Sequence, residues 1–367
     1  MLLKRLPIFA ALAAWPLAAQ TLSFTSLTVA AGNSPISVRL ADFNGDSAPD
    51  IVVINGGGSD TVTVLLNQGG GKFSAPITTA TGGFGGMALT SGDYNHDGKA
   101  DLAVVNNLTN NVSILLGNGD GTFRVGSYAG VHESPVSVTE ADFNRDGNVD
   151  LAVVNSLTGD VTILLGKPDG TFRPGTNVFV GSAPTGIKAG DFNGDGIPDF
   201  AVANGTLGQE LVYIFFGNGG GTFRSGGTVP VGNEPYALVA HDFNHDGKTD
   251  LAVADLGSNT VSVLLGNGNG TFQPAANYSA GNGPVSIRVG SFNQSGNADL
   301  AVCADVSAEV LVFLGNGDGT FQTPLPFTTG GFCNSLAVGD LDQTGRSDIV
   351  AATADNLVVL INNGPAR

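Results

Sequence analysis

The 367-residue chain predicts an all-β fold, a seven-bladed β-propeller of four-stranded blades, on three observations. A nine-residue motif with oxygen-bearing side chains at positions 1, 3, 5 and 9 occurs seven times, at steps of 49 or 51 residues. Repeats of about forty to fifty residues suit one four-stranded blade. Between the motifs run short apolar or alternating segments separated by Gly- and Asn-rich turns, and helical periodicity is absent.

In chain order, residues 1–19 read as a secretory signal. Lys4 and Arg5 precede an apolar run from Leu6 to Leu17, and Ala18-Ala19 supply small residues for cleavage after Ala19. Residues 20–367 then form one domain, secreted and extracellular or periplasmic. No later stretch is long and apolar enough to span a bilayer. Hydrophobic residues make up 42% of the chain, so its 55 glycines belong to turns of a packed domain and not to a disordered tract.

The third repeat is representative. Pro135–Thr139 alternates and reads as a first strand. The motif Asp142–Asp150 follows. Leu151–Val154 is continuously apolar, as a strand buried on both faces must be. Asn155–Asp160 is a polar turn, Val161–Leu165 a third strand, and Thr171-Phe172 opens a fourth that ends near Val180. The last repeat stops after its third strand, Leu357–Ile361. A spare strand, Leu22–Ala30, stands at the N-terminus, with Phe24 at nearly the spacing of the other repeats. The N-terminal strand is therefore expected to complete blade seven and close the ring.

The motif carries the chemistry. D-x-[DN]-x-[DN]-G is the first half of an EF-hand-type calcium loop, in which alternate oxygens of a tight turn converge on a hard cation. Four loops are complete: Asp93, Asn95, Asp97, Asp101; Asp142, Asn144, Asp146, Asp150; Asp191, Asn193, Asp195, Asp199; and Asp242, Asn244, Asp246, Asp250. The first, Asp42, Asn44, Asp46, Asp50, has Ser47 where glycine is expected. The seventh has Asp340, Asp342, Thr344 and Asp348. The sixth, Ser291, Asn293, Ser295 and Asp299, keeps one carboxylate and is expected to be empty or weak. The Glu at position 12 of an EF-hand is missing, so the Asp at position 9 would close the shell. Carbonyls at position 7, those of Ala48, Lys99, Asn148, Ile197, Lys248 and Arg346, would add an oxygen each. Five or six Ca2+ sites are expected, against the alternative of plain Asx turns.

Two aromatic sets recur with the same period. Phe43, Tyr94, Phe143, Phe192, Phe243 and Phe292 stand at motif position 2, with Leu341 in the last repeat. Phe123, Phe172, Phe223, Phe272 and Phe321 follow a Gly-x-x-x-Gly-Thr turn, and Phe73 its variant Asn67-Gln-Gly-Gly-Gly-Lys72. Large side chains are needed where wedge-shaped sheets meet, so both sets are assigned to packing between blades.

The pattern D-F-N-G-D-G-x-x-D-[LF], followed by L-G-N-G-D-G-T-F, resembles the FG-GAP or VCBS-type repeats of integrin alpha-subunit propellers, of bacterial secreted proteins and of some fungal propeller lectins. The resemblance covers the mature chain. It implies a seven-bladed propeller with calcium in the loops joining strands 1 and 2, and a secreted, bacterial protein. It implies no single function, because the family hosts adhesion, sugar binding and accessory domains of enzymes.

The formal charge of −17 also points to the loops. Nineteen of the 32 acidic residues lie in the seven motifs, leaving 13 against 15 Lys and Arg. There is no basic stripe for nucleic acid. Cys303 and Cys333 fall on one face in adjacent blades, and export permits a disulfide; the alternative is two free thiols. No catalytic pattern is found. His96 and His245 lie inside calcium loops, His241 adjoins Asp242, and His132 stands beside Glu133 in a connecting loop. Glu133, Asp160, Glu210, Glu234 and Asp255 could converge over the axis, but nothing selects a pair.

The expected function is that of a monomeric, non-catalytic, calcium-stabilised binding module for carbohydrate or cell-surface or matrix ligands. A protein adhesion scaffold without sugar affinity is the alternative, and a propeller-type hydrolase or lyase the third reading. The ligand face would be the one opposite the calcium loops. Its segments Gly56–Asp60, Asn106–Asn111, Gly130–Glu133 and Gly205–Glu210 are rich in Asn, Gly and Thr and poor in aromatics.

Overall fold

The computed structural model describes residues 22–365 apart from 57, 206, 207 and 209. The expected signal segment lies outside them. Among the described residues there are 28 strands and no helix. The strands form seven antiparallel four-stranded sheets, so the chain is a seven-bladed propeller.

Blade 1 comprises Pro35–Ala41, Asp50–Asn55, Thr61–Leu65 and Ile77–Ala80, from the axis outwards. Blades 2 to 6 repeat this order, their inner strands beginning at Gly86, Pro135, Pro184, Pro235 and Pro284. A register shift follows each of these first residues. Proline suits such a strand start because it has no N–H to give to a ladder.

The second strand is the spine of each blade. It begins at the motif's last Asp, runs for six residues, and is buried throughout in all seven blades. Its side chains alternate between neighbours. In Asp150–Asn155, Leu151 and Val153 pack towards blade 2, and Ala152 and Val154 towards blade 4. Because both faces meet apolar partners, the strand reads as a continuous apolar run. The core is accordingly divided into seven clusters, one at each interface between adjacent blades.

Blade 7 closes the ring. Its strands Cys333–Gly339, Asp348–Thr353 and Leu357–Pro365 are joined at the outer edge by Leu22–Val29. Thr25 lies opposite Ile361, and Val29 opposite Leu357. The Phe24 ring meets Phe292 of blade 6 edge-on at 6.3 Å, completing the aromatic series round the ring. A disulfide between Cys303 and Cys333, with Cα atoms 5.8 Å apart, links the second strand of blade 6 to the inner strand of blade 7.

The last residue of the second strand repeats a polar device. Asn55, Asn106 and Asn155 are buried, and each amide donates to side-chain oxygens on the third strand, as Asn55 Nδ2 does to Thr63 Oγ1 at 2.7 Å. In blade 5 this residue is Asp255. Its Oδ2 accepts from Ser262 Oγ at 2.7 Å and Thr260 Oγ1 at 3.1 Å, and its Oδ1 has no partner. Burial raises its pKa from 3.8 to about 6, against the pull of those two hydroxyls.

The folded state therefore holds this proton at pH values where the unfolded chain has lost it, and stability contributed here falls as pH rises from about 4 to 6. Replacing Asp255 by Asn, the residue of blades 1 to 4, should stabilise the protein by about 2–3 kcal/mol at pH 7.5. The gain should shrink towards zero near pH 4. Urea unfolding of both proteins at the two pH values measures it, and an equal gain at both would remove the ionisation argument.

Candidate metal loops and the axial channel

All seven nine-residue motifs join an inner strand to a second strand, so they lie together at one end of the ring. The turn is built by its own side chains. In blade 4, Asp191 Oδ1 accepts from the N–H of Gly194 at 2.7 Å, and its Oδ2 from that of Gly196 at 2.8 Å. Asn193 Oδ1 accepts from Asp195 N–H at 2.9 Å, and Asp195 Oδ1 from Ile197 N–H at 2.8 Å. This winding needs left-handed backbone at positions 4 and 6, where Gly194 and Gly196 both have φ of 76°. Ser47 adopts φ 67° at position 6 of the first loop, a conformation in which Cβ is strained. Around Asp42, burial opposes ionisation, but the N–H groups of Ser47, Gly45, Asn44 and Asp46 outweigh it and hold the pKa below its usual value.

Position 9 behaves differently from positions 1, 3 and 5. Asp50, Asp101, Asp150, Asp199, Asp250, Asp299 and Asp348 have no exposed surface. One oxygen of each accepts the N–H of the position-2 residue, from Phe43 at 2.9 Å to Leu341 at 2.7 Å. The other accepts the N–H that opens the turn after the third strand, at 2.7–2.8 Å, as from Gly166 in blade 3. Burial raises all seven pKa values, those of Asp150, Asp199 and Asp348 to about 6.

The donor sets differ between loops. Asp340, Asp342 and Asp348 each bring an oxygen within 4.8 Å of the others, the one such set of three His, Cys, Asp or Glu side chains among the described residues. Its Asp at position 3 makes this possible. The first five loops carry Asn there, whose amide donates to the position-5 carboxylate in blades 1 to 4, as Asn193 does to Asp195 at 2.9 Å. In the sixth, Ser295 N–H still binds Asn293 Oδ1 at 3.0 Å, but no carboxylate stands at positions 1, 3 or 5. Oxygen-only donors on a pre-wound turn fit a hard divalent cation, best in loop seven.

Side chains at position 4 point away from their own loop and reach the next. His96 Nε2 contacts Asn148 Oδ1 at 3.0 Å, and Gln294 Nε2 donates to Thr344 O at 3.2 Å. The aromatic sets meet across each interface. Phe43 packs on Phe123, Tyr94 on Phe172, and Phe143 on Phe223, with centroids 5.4–5.6 Å apart and edges to faces. Position-2 carbonyls accept from the next blade's outer turn, as Phe43 O does from Gly121 N–H at 3.0 Å.

At the opposite end, His132 Nδ1 pairs with Asp160, which also accepts from Asn155 and Thr158. His132, in the connection between blades 2 and 3, is thus held by a carboxylate of blade 3. Six large apolar side chains are mostly exposed at this end: Leu108 (75%), Phe179 (74%), Leu157 (73%), Val306 (60%), Phe84 (59%) and Phe332 (58%). The face is more apolar than its Asn- and Gly-rich segments suggest. Phe84 and Phe332 lie in connections between blades, outside the segments singled out from sequence.

The inner strands enclose an axial cavity of about 810 Å³. Met87 and Tyr236, second residues of their strands, stand at the end that carries the apolar side chains. The fifth residues form one tier: Arg39, Thr90, Thr139, Lys188, Val239, Arg288 and Ala337. Glu140 lies beside them, accepting from Tyr94 Oη at 3.2 Å. Burial lowers the Arg39 and Arg288 pKa values, Arg288 well below its usual range. Lys188 keeps surface open to the cavity, yet enclosure, then Arg288 and Arg39, push its pKa down. Burial raises Glu140 against hydrogen bonds from Thr90 and Tyr94 and the charges of Lys188 and Arg39. Sequence reading missed this tier. Its signal was a lone cation at the fifth position of three inner strands.

The FG-GAP-like repeat pattern matches residues 42–104, 93–153, 142–202, 191–253, 242–302 and 292–351. No curated protein is significantly similar in sequence. Among solved structures, BBS1N in complex with ARL6DN is similar in two crystal structures, one soaked with lead and one with mercury. The lead form has a TM-score of 0.62 and 16% identity, covering 91% of this chain and 96% of that one. The mercury form has 0.63 and 15%, covering 91% and 94%. An Agrocybe aegerita lectin that recognises non-reducing terminal N-acetylglucosamine has a TM-score of 0.54 and 20% identity, covering 92% and 87%.

Truncating Asp150 strands the N–H groups of Phe143, Asn144 and Gly166. Asp150→Ala should therefore cost about 2–6 kcal/mol, at 1–3 kcal/mol for each of the two fully buried donors, those of Phe143 and Gly166. Asp146→Ala, in the exposed part of the same loop, should change stability by about 1 kcal/mol or less when calcium is chelated. Denaturant melts with chelator measure both, and equal losses would contradict the separate roles of positions 5 and 9.

Proposed function

The chain belongs to the family of FG-GAP-like repeat proteins, and from that premise we propose that it is a calcium-stabilised, non-catalytic binding propeller acting outside the cytoplasm. Its ligand face is the end opposite the nine-residue loops. The observation that carries this reading is the set of exposed apolar side chains there, Leu108, Leu157, Val306, Phe84, Phe179 and Phe332. Scattered exposed apolar residues are ordinary, but six at one end of a ring mark a surface for association. Three of them are aliphatic and cannot stack on a sugar, which favours a protein or cell-surface partner.

Carbohydrate is the second reading, favoured by the open rings of Phe84, Phe179 and Phe332. The structural relatives support either ligand class, one being solved with ARL6DN and the other recognising a terminal N-acetylglucosamine. A non-catalytic role is supported by the fate of the candidate carboxylates. Asp160 is tied to His132, Asn155 and Thr158, and Asp255 to hydroxyls of its own blade.

Calcium would be held by side-chain oxygens at positions 1, 3 and 5 with the position-7 carbonyl, and by Asp348 in loop seven. The ion would stabilise the strand 1–2 turns and neutralise the acidity gathered at that end. Secretion is supported by the charged and apolar N-terminal segment and by the Cys303–Cys333 bridge.

Saturating calcium should raise the melting temperature over the chelated protein. A site at a hundredfold excess of ligand over Kd adds about 2.7 kcal/mol. Identical melts would remove the metal. The ligand face is tested with a glycan array and with cell-surface binding of the calcium-loaded protein, using Phe84→Ser with Phe332→Ser as the comparison. Binding to cells but not to glycans, lost in the double variant, supports the protein reading. Selective glycan binding lost in the same variant supports the second, and no binding to either removes the proposed face.

A further inference from the structure

We infer that the axial channel is a binding site for a compact divalent oxyanion, held by Arg39, Lys188 and Arg288. The cations come from blades 1, 4 and 6, so they stand three, two and two blades apart, as evenly as a ring of seven allows. All three occupy the fifth position of their strands, opposite the third residue of the second strand. They therefore share one depth and surround one point on the axis.

Neither guanidinium nor the ammonium forms an ion pair among the described residues. Arg39 Nη1 donates to Val38 O at 3.0 Å, and Arg288 Nη1 to Ile287 O at 2.7 Å, each a carbonyl of its own strand. Those bonds fix the guanidinium heads and leave other donors unused, and Lys188 has no hydrogen-bond partner among the described residues. Glu140 is the one carboxylate beside the tier and is already bound to Tyr94. Asp305, the other carboxylate lining the cavity, follows the second strand of blade 6 at the far end.

Three unpaired cations against one carboxylate, enclosed in a chain of net charge −17, leave local positive charge that the protein does not neutralise. A tetrahedral sulfate or phosphate group offers oxygens to three donors at once, and guanidinium is the residue group that matches such oxyanions best. The open mouth at Met87 and Tyr236 lies about 10 Å from the tier, three strand residues away. The group could arrive as a free ion or as the charged end of a sugar, and the cavity of about 810 Å³ has room for either.

The inference is independent of the calcium loops and of the apolar face. Its test is titration of the calcium-loaded protein with sulfate at constant ionic strength, followed by thermal shift and calorimetry, with chloride as control and N-acetylglucosamine 6-sulfate as a second ligand. One saturable site is expected for sulfate and none for chloride. Arg288→Gln and Lys188→Gln should each weaken it about tenfold or more, as loss of a charge-assisted hydrogen bond implies. Without sulfate, both variants should melt no lower than the parent, because like-charge repulsion is relieved. Tighter binding of the sugar sulfate assigns the site to a carbohydrate-borne group, and equal binding to the free ion. A non-saturating response, or one that both variants share with the parent, overturns the site.

Discussion

A carboxylate with no exposed surface, accepting backbone N–H groups through both oxygens, occurs once in every blade, and the ring depends on it. Asp50 and its six counterparts join two segments that covalent order keeps apart, the turn after the inner strand and the turn after the third. Such a group is costly to bury, which is why its pKa rises, and is tolerated because strong charge-assisted bonds replace its water. The same bond fixes the position-2 residue, whose ring and carbonyl then reach the next blade. One local interaction thus sets the attitude of each blade to its neighbour.

The two ends of the ring consequently have different freedoms. At the loop end, the acidic turns, the buried carboxylates and the position-4 contacts constrain almost every residue of the motif. At the other end, turns need only to return the chain, so their side chains can differ from blade to blade. Apolar side chains, the His132–Asp160 pair and the open mouth of the cavity collect there. The axis belongs to neither end. Its lining shares residues such as Val239 and Ala337 with the blade interfaces, and it holds three cations against the one carboxylate of Glu140.

Much of this architecture was legible because it repeats. The period gave the number of blades, the apolar runs such as Leu151–Val154 gave the second strands, and the spacing of Phe24 gave the closing strand. What was not legible is whatever arises only when the ring closes. Arg39, Lys188 and Arg288 lie about 100 to 150 residues apart along the sequence, at steps of two or three blades, and each alone reads as a surface cation. The motif's last Asp reads as a ligand oxygen, and sequence spacing does not reveal that distant N–H groups also converge on it. Phe84 and Phe332 were passed over because neither recurs, and recurrence was the guide.

The closing strand has a mechanical consequence. Leu22 lies opposite Pro365 at the outer edge of blade 7, so the two ends of the described chain leave the ring side by side, at the end where the acidic loops lie. A tether attached to either would grip the molecule by its most constrained rim and present the variable end outwards, like a dish on a stalk. Tension between the two would fall on a single antiparallel pair and unzip it one hydrogen bond at a time, whereas a load on either alone would be shared along the whole strand. The ring is therefore built to be held at one point and pulled from one side.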